Sequence, residues 1–357
     1  MHLYFGTYPS QTEGTDREGI WDAHLNVETG VLEGLSRIYE MDSPSFLALT
    51  PDREKLVAVS ETPNGKITEF RRENTNIYVH AENTTGGSYP CHVFAVDGLA
   101  VVSNYGSGSV WAQPLPITQE NHPNIVEGSL FQQFGQGANP ERQEGPHAHF
   151  AAQLHSTQYV WVADLGADNI FKYQFVSDGQ GGRKLSALGS AVSAPQGSGP
   201  RHFVSSSNGY VYVVGELDNR IHAIRVDAST GDGDITAHYP AMTGIYGAES
   251  SYPSHIALSD DGTRLYVAVR GADIMSVHTI LDDGSLRYET EFSTGGAWPR
   301  HFACVGEGGG ELAGYELLVV ANQNSSTVDV SAYNPETREH RLLSSTHLPA
   351  PACVLPV

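Results

Sequence analysis

The fold is decided by the stretch Pro253-Ser254-His255-Ile256-Ala257-Leu258, the turn Asp260-Asp261-Gly262 and the apolar run Leu265–Val269. Together they form a proline, one or two small or charged residues, an apolar strand, a turn and a second apolar strand. Further copies of this pattern start at Pro44, Pro90, Pro146, Pro200 and Pro299. Successive prolines are 46, 56, 54, 53 and 46 residues apart. A period of about 50 residues with several strands per repeat is typical of a β-propeller.

Each repeat has a second strand rich in valine and tyrosine, which favour a pleated, packed surface. These strands are predicted at Leu56–Ser60, Ala100–Ser103, Val160–Ala163, Val211–Val214, Leu265–Val269 and Leu317–Ala321. Asn208-Gly209 and Asp260-Asp261-Gly262 contain residues that tolerate a positive φ. They therefore predict tight hairpin turns between the first and second strands.

The two ends of the chain supply a seventh repeat. Pro351-Ala352-Cys353-Val354-Leu355 has the pattern of a first strand, and His2-Leu3-Tyr4-Phe5-Gly6-Thr7 has that of a second strand. Pairing the N- and C-terminal strands would close the ring and remove exposed sheet edges. We therefore predict an all-β fold, a single seven-bladed β-propeller domain over residues 1–357 with four-stranded blades.

The composition excludes several classes of partner. Acidic residues outnumber basic ones by 41 to 20, a formal net charge of −21, which argues against nucleic acid and anionic membranes as partners. No apolar run is long enough for a transmembrane helix, and no leader is visible. Cys91, Cys304 and Cys353 show no close spacing, so neither a disulfide framework nor a zinc site is indicated. We expect a cytoplasmic monomer without a cofactor.

Polar residues collect at one end of the predicted propeller. In each blade the start of the first strand and the end of the second lie at the same end of the channel. Strand starts contribute His92, His147, His149, Arg201, His202, His255, Arg300 and His301. Strand ends contribute Asn104, Asp164, Glu216, Arg270 and Asn322. We expect these side chains to surround a central mouth.

Several of these residues also have a structural interpretation. A histidine after the proline can hydrogen-bond the backbone of a neighbouring blade and keep the ring in register. This interpretation is favoured for the four histidines at one equivalent position, His92, His202, His255 and His301. Asp164 and Asn322 are equally compatible with turn capping. The glycine-rich stretch Asn104–Ser109 lacks the lysine and the following helix of a phosphate loop, so it predicts a sharp turn.

The arginines at the mouth favour a functional site. Arg201, Arg270 and Arg300 are three of only 20 basic residues, and arginines held together repel one another unless a carboxylate, phosphate or substrate anion lies between them. Glu216 is either their internal partner or part of an acid–base pair in an anion-binding cavity.

His147 and His149 form a second functional candidate. Alternate residues on a strand share a face, so both imidazoles can point into the channel. A general base, a metal site completed by Glu216 or Asp164, and a structural role are the alternatives. The general base is favoured over the metal, because no second close-spaced ligand pair is present.

These motifs resemble those of the seven-bladed propeller lactonases, which include the propeller-type 6-phosphogluconolactonase and the fungal carboxy-cis,cis-muconate cyclase. The resemblance extends over essentially the whole chain. Its most specific stretches are Gly199-Pro200-Arg201-His202-Phe203 and Gly215-Glu216-Leu217-Asp218-Asn219, with Asn104–Val110 and Ala163–Asp168 in support. It implies the catalytic residues His147, Arg201, Glu216 and Arg270. We add the candidate substrate-binding residues His149, Arg300, His202, Asn104, Asp164 and His301.

The resemblance implies hydrolysis of a sugar lactone, with 6-phosphogluconolactone as the expected substrate. His147 or Glu216 would be the base, and Arg201 and Arg270 would bind the phosphate or stabilise the oxyanion. A muconate-type cycloisomerase using the same four residues, metal-dependent hydrolysis and a non-enzymatic binding propeller remain alternatives. The insertions Pro114–Gly145 and Asp178–Gly199 are expected to join outer strands to the next blade, overhang the mouth and set substrate size.

Overall fold

A computed structural model describes residues 1–9, 18–74, 76–117, 128–179, 181–244 and 250–357. These residues form 28 β-strands, one 3-10 turn at Gly310–Leu312 and seven four-stranded sheets. The predicted all-β fold with seven four-stranded propeller blades is confirmed. Within the described ranges, no helix has the length and apolar character needed to cross a membrane.

The strands are numbered in chain order. Strands β1 to β10 are His2–Thr7, Ile20–Asn26, Val31–Tyr39, Leu47–Leu49, Lys55–Ser60, Lys66–Glu73, Asn76–Thr84, Pro90–Val96, Leu99–Asn104 and Ser109–Pro114. Strands β11 to β19 are Ser129–Gln132, Ala148–Gln153, Tyr159–Asp164, Asn169–Ser177, Arg183–Ser193, Pro200–Ser205, Tyr210–Gly215, Arg220–Val226 and Gly233–Pro240. Strands β20 to β28 are Tyr252–Leu258, Arg264–Arg270, Ile274–Ile280, Leu286–Ser293, Pro299–Glu307, Glu316–Asn322, Thr327–Tyr333, His340–His347 and Pro351–Pro356.

Each blade is one sheet whose strands follow one another in sequence. Blades 2 to 7 are β4–β7, β8–β11, β12–β15, β16–β19, β20–β23 and β24–β27, and blade 1 has the order β28-β1-β2-β3. Every predicted second strand lies within the second strand of its blade. The chain forms two compact units, Met1–Glu40 with His202–Arg225 and Ile235–Val357, and Met41–Arg201 with Val226–Asp234. A single domain over the whole chain stays a prediction.

The predicted pairing of the terminal strands is confirmed. β28 runs antiparallel to β1, with Val354 opposite Phe5 and Leu355 opposite Tyr4. Phe5 and Val354 are buried in one apolar cluster with Leu317 of β25. Fully burying a side chain of this size stabilises the fold by about 1.5–3 kcal/mol. The C-terminal strand is therefore an integral part of blade 1.

Each of the two insertions contains an outer strand, so the prediction that they begin after the outer strands was wrong. That they overhang the mouth and set substrate size stays a prediction. Pro114–Gly145 includes the outermost strand of blade 3, β11, and Asp178–Gly199 includes that of blade 4, β15. β11 is short and mostly exposed, and β15 is exposed over much of its length. Exposed outer strands do not need the apolar pattern that marks buried ones. Residues 118–127 of the first insertion lie outside the described residues.

The glycine-rich stretch after β9 forms the sharp turn that its sequence predicts. Residues 105–108 connect β9 to β10. Gly108 has φ of 58°, and a Cβ atom there would lie 2.2 Å from the carbonyl oxygen of Pro146. Both the backbone angle and the close approach of the next blade therefore require glycine.

We expect Gly108→Ala to destabilise the protein more than Gly34→Ala. Gly34 also has a positive φ, 68°, but a Cβ there would meet nothing within 4 Å. Gly34→Ala therefore isolates the cost of the left-handed backbone, about 1–2 kcal/mol. Gly108→Ala adds an overpacking cost of about 1–3 kcal/mol. Denaturant unfolding measures both, and equal losses would show that the approach to Pro146 does not constrain the turn.

Candidate active site

Glu216 and Arg270 form a buried ion pair. Glu216 directly follows β17, and Arg270 is the last residue of β21. Arg270 Nη2 lies 2.7 Å from Glu216 Oε2, and the two side chains are only 8 % and 4 % exposed. Glu216 is thus an internal partner of this arginine. Because burying both charges costs much of what their attraction gains, stability alone is a poor reason for the pair.

Two aromatic residues fix the orientation of Arg270. The Arg270 Nε–H donates to the carbonyl oxygen of Tyr252 at 3.3 Å. Its guanidinium carbon lies 5.3 Å from the centre of the Trp298 ring and 6.0 Å from that of Tyr252, within the range of cation–π attraction. Trp298 has a positive φ of 65°, and its backbone N–H donates to Asp273 Oδ1 at 2.8 Å. Sequence reasoning missed both aromatic residues.

Arg300 has a separate aromatic contact. Its guanidinium carbon lies 4.7 Å from the centre of the Tyr8 ring. Gln323 supports this segment, since its Nε2 donates to the carbonyl oxygen of Tyr8 at 3.1 Å. Arg300 is partly exposed, so it retains access to solvent. Its proposed contact with substrate stays a prediction.

The register role predicted for the repeated histidines is confirmed at His92 and His301. His92 Nδ1 accepts a hydrogen bond from the Ala151 N–H at 3.3 Å, and His301 Nδ1 accepts one from the Val354 N–H at 3.3 Å. Each donor lies on the first strand of the following blade. These imidazoles therefore hold neighbouring blades in register.

The two remaining histidines of this set contact each other. His202 Nδ1 and His255 Nδ1 are 2.9 Å apart, so one ring donates to the other. His255 also stacks on His301 with ring centres 3.9 Å apart. Substrate contacts of His202 and His301 stay predictions.

His147 is oriented by the turn after β9. Its Nδ1 lies 2.9 Å from the Tyr105 carbonyl oxygen, and its ring stacks on that of Tyr105 at 4.5 Å. Because a carbonyl oxygen only accepts, Nδ1 carries a hydrogen and Nε2 is the nitrogen that exchanges a proton. Nε2 lies 3.2 Å from Glu144 Oε1. Because a carboxylate oxygen also only accepts, Nε2 carries a hydrogen in this contact and donates it to Glu144. Sequence reasoning missed Glu144.

His149 lies two residues further along the same segment, on β12. Its ring meets Tyr105 edge-on at 5.5 Å, and its carbonyl oxygen accepts from Cys91 Sγ at 3.3 Å. His149 is 6 % exposed. Both histidines of the predicted pair thus contact Tyr105, which organises this part of the site.

Asp164 holds the backbone of His147. Asp164 Oδ1 accepts from the His147 N–H at 2.7 Å and from the Ala167 N–H at 2.8 Å. The side chain is fully buried, and burial raises the pKa of Asp164 to about 6. These contacts are those of a turn cap, and a contact with substrate stays a prediction.

Asn104 and Asn322 occupy the corresponding strand ends in blades 3 and 7. Asn104 Nδ2 donates to the Thr85 carbonyl oxygen and to Ser109 Oγ, both at 3.2 Å. Asn322 Nδ2 donates to the Thr294 carbonyl oxygen at 3.1 Å. Both side chains are fully buried. Their contacts hold the blades together, and the binding of substrate by Asn104 stays a prediction.

Arg201 is almost completely buried on β16, 2 % exposed. It follows Gly199 and Pro200, and the Gly199 N–H donates to Asp168 Oδ1 at 2.8 Å. The backbone leading to this arginine is therefore held by a carboxylate. Sequence reasoning missed Asp168.

A cavity of about 640 Å³ lies at the turn end of blades 6 and 7. Its lining includes the partly exposed residues Arg264, Glu316 and Cys304 and the turn residue Asp261. No predicted site residue lines it, so the candidate site is defined by its side chains and not by this cavity. Among the residues described, no three His, Cys, Asp or Glu side chains are grouped to hold a metal ion.

The sequence is similar to known proteins over its whole length. The profile of the family described as "Lactonase, 7-bladed beta-propeller" matches residues 2–356. A 6-phosphogluconolactonase of Bacillus subtilis is 29 % identical, with 99 % of this chain and 98 % of the relative covered. One of Formosa agariphila is 27 % identical, with 94 % and 93 % covered. The structure of a periplasmic gluconolactonase of Pseudomonas aeruginosa has a TM-score of 0.84 at 25 % identity, covering 99 % of this chain and 98 % of that chain.

We expect Asp164→Asn to remove a pH dependence of stability. Asp164 has a raised pKa of about 6 against 3.8 for the free side chain, so the folded state holds a proton that the unfolded state has lost between these values. The wild type therefore loses stability as the pH rises from about 4 to about 7, by about 2–3 kcal/mol. The neutral asparagine, which blades 3 and 7 already use at this position, keeps the Oδ1 acceptor.

The measurement is the free energy of unfolding against pH for both proteins. Asp283→Asn is the control, because hydrogen bonds from Ser285 lower the pKa of exposed Asp283 and place its titration below this window. Parallel curves for wild type and Asp164→Asn would contradict the prediction.

Proposed function

Because the chain belongs to the family of seven-bladed β-propeller lactonases, we propose that it hydrolyses a sugar lactone and that 6-phosphogluconolactone is the substrate. The relatives of that name, which align over more than nine-tenths of the chain, support this choice. The structural observation that carries the catalytic proposal is the buried Glu216–Arg270 pair. A cytoplasmic location and a monomeric state remain predictions from the sequence.

In the proposed reaction His147 is the general base. Its Nδ1–H is bound to the Tyr105 carbonyl oxygen, so neutral His147 would carry its lone pair on Nε2 once Nε2 has left the Glu144 carboxylate. Nε2 takes a proton from water as the water oxygen attacks the lactone carbonyl carbon. When the tetrahedral intermediate collapses, the ring C–O bond breaks and the leaving oxygen takes that proton. The product is the open hydroxy acid, and His147 returns to its neutral form.

The arginines supply the positive charge that this reaction needs. Arg270 would stabilise the oxyanion of the intermediate, and Glu216 would hold its guanidinium in place through the 2.7 Å contact. Arg201 would bind the 6-phosphate or share the oxyanion. Losing one such donor typically lowers the rate by about 10²–10³.

We expect Glu216→Gln and Arg270→Ala each to lower kcat/KM for 6-phosphogluconolactone by about 10²–10³. Glu316→Gln is the matched control. Glu316 is paired with Arg264 but lies at the turn end of its blade, so it should lose stability and keep activity. The assay measures lactone hydrolysis above the spontaneous rate, with and without a chelator.

The outcomes separate the alternatives. A wild type that does not accelerate hydrolysis would overturn the phosphosugar assignment, and gluconolactone and a carboxymuconate would then be tested. Loss of activity with chelator would show a metal-dependent reaction. Activity retained in Glu216→Gln and Arg270→Ala would exclude the ion pair from catalysis.

We further expect His147→Gln and Glu216→Gln to be non-additive. Two residues that serve one transition state lose their shared benefit when either is removed. The rate of the double variant should therefore lie within about twofold of the rate of the slower single variant. Single-turnover and steady-state rates of the four proteins measure this, and a product of the two single losses would show that the residues act independently.

A further inference from the structure

Four blades carry an anchor residue in the turn between their second and third strands. These anchor residues are Asp168, Asn219, Asp273 and Ser326, all with a positive φ between 49° and 58°. In each case the side chain hydrogen-bonds the backbone just before the proline that opens the next first strand. Such backbone conformations are uncommon outside glycine. In these four turns the unusual conformation occurs together with a hydrogen bond from the side chain to the next segment.

Three of the anchors make one such contact. Asn219 Nδ2 donates to the Ser251 carbonyl oxygen at 2.7 Å, and Asp273 Oδ1 accepts from the Trp298 N–H at 2.8 Å. Ser326 Oγ accepts from the Ala350 N–H at 3.2 Å. Each contact ties the turn of one blade to the segment that leads into the next.

The Asp168 side chain accepts four hydrogen bonds, whereas that of Asp273 accepts two, from the N–H groups of Gly271 and Trp298, and those of Asn219 and Ser326 make one each. Its Oδ2 accepts from the Gly197 N–H at 2.6 Å, and its Oδ1 accepts from the Gly199 N–H at 2.8 Å. Oδ1 also accepts from Gln143 Nε2 at 2.6 Å and from Ser198 Oγ at 3.5 Å. A carboxylate has about four acceptor sites. Asp168 is 7 % exposed.

The segment held by Asp168 would otherwise be flexible. Gly197 and Gly199 both have a positive φ, 80° and 58°, and glycine loses more conformational freedom on ordering than any other residue. Only Pro200 separates Gly199 from Arg201. Ordering this segment therefore fixes where the backbone of Arg201 enters β16.

The same turn also reaches His147. Asp164, four residues before Asp168, accepts the His147 N–H at 2.7 Å. Gln143 links the two ends of the turn, since its Nε2 donates to both the Leu165 carbonyl oxygen and Asp168. One short turn thus holds the backbone at or beside two proposed catalytic residues.

We propose that Asp168 is a positioning residue that sets the reactivity of Arg201 by fixing the Gly197–Gly199 segment. This inference rests on the proposed function, because its kinetic effect requires Arg201 to act on the lactone. Asp168 touches no reacting atom. Small displacements of a catalytic group can cost up to about 10²-fold in rate.

The test compares Asp168→Ala with Ser326→Ala. Asp168→Ala should lower kcat/KM for 6-phosphogluconolactone by about 10- to 100-fold. Ser326→Ala removes the anchor that leads into β28, which carries no proposed catalytic residue, and should stay within about twofold of wild type. Asp168→Asn keeps one acceptor oxygen and should recover part of the loss. If Asp168→Ala fails to fold, Asp168→Asn replaces it in every comparison.

A second arm shows whether Asp168 acts through Arg201. In the Arg201→Ala background, Asp168→Ala should cause no further loss of kcat/KM, because the group it positions is gone. A full further loss would overturn the proposal. So would wild-type activity in Asp168→Ala.

Hydrogen exchange separates this proposal from the proposed function. The amides of Gly197 and Gly199 should lose protection in Asp168→Ala but keep it in Arg201→Ala and Ser326→Ala. If wild type shows no lactonase activity while these amides behave as expected, the function is wrong and the anchoring is right. If wild type is active and the amides stay protected in Asp168→Ala, the positioning role is wrong.

Discussion

The structure depends on the burial of the second strand of each blade on both faces. All residues of β9 and β13 are buried, so neither strand can be covered by its own sheet alone. Small sheets of this kind need packing against another layer for stability. Val101 of β9 and Val162 of β13 accordingly belong to one apolar cluster. Polar groups at the ends of such strands are far from water and must find partners inside the protein.

That constraint explains why most polar residues at the strand ends have internal partners. The Nδ2 groups of Asn104 and Asn322 satisfy it by donating to nearby carbonyl oxygens. His92 and His301 satisfy it as acceptors for the next blade. A polar residue at such a position is therefore no evidence of a site by itself. What distinguishes Glu216 and Arg270 from these amides and imidazoles, and from the turn-capping Asp164, is that two opposite charges are buried in direct contact, which costs more than burying an amide.

The elements that could be predicted from the sequence are the buried ones, because burial repeats the same apolar pattern in every blade. The second strands, the terminal pairing and the turn at Asn104–Ser109 all follow from buried apolar runs, prolines and turn residues at regular spacing. The outer strands β11 and β15 were not predicted, because exposed strands have no apolar run that marks them in the sequence. Glu144 and Asp168 were not predicted as part of the site either, since a carboxylate on the surface or in a turn is common in any sequence. Which backbone N–H or ring each one contacts depends on the path of neighbouring segments, which local pattern does not encode.

Charge at a buried strand end is therefore the better guide to chemistry in this fold. The partly exposed Arg264–Glu316 pair shows that the chain also places ion pairs at the turn end of its blades, so pairing alone does not identify a site. Arg270 adds contacts that Arg264 lacks among the described residues, two aromatic rings and a carbonyl oxygen that fix its guanidinium plane. A cation held in one orientation is prepared to meet a developing negative charge without reorganisation. Orientation, more than burial, is what sets Arg270 apart from a structural arginine.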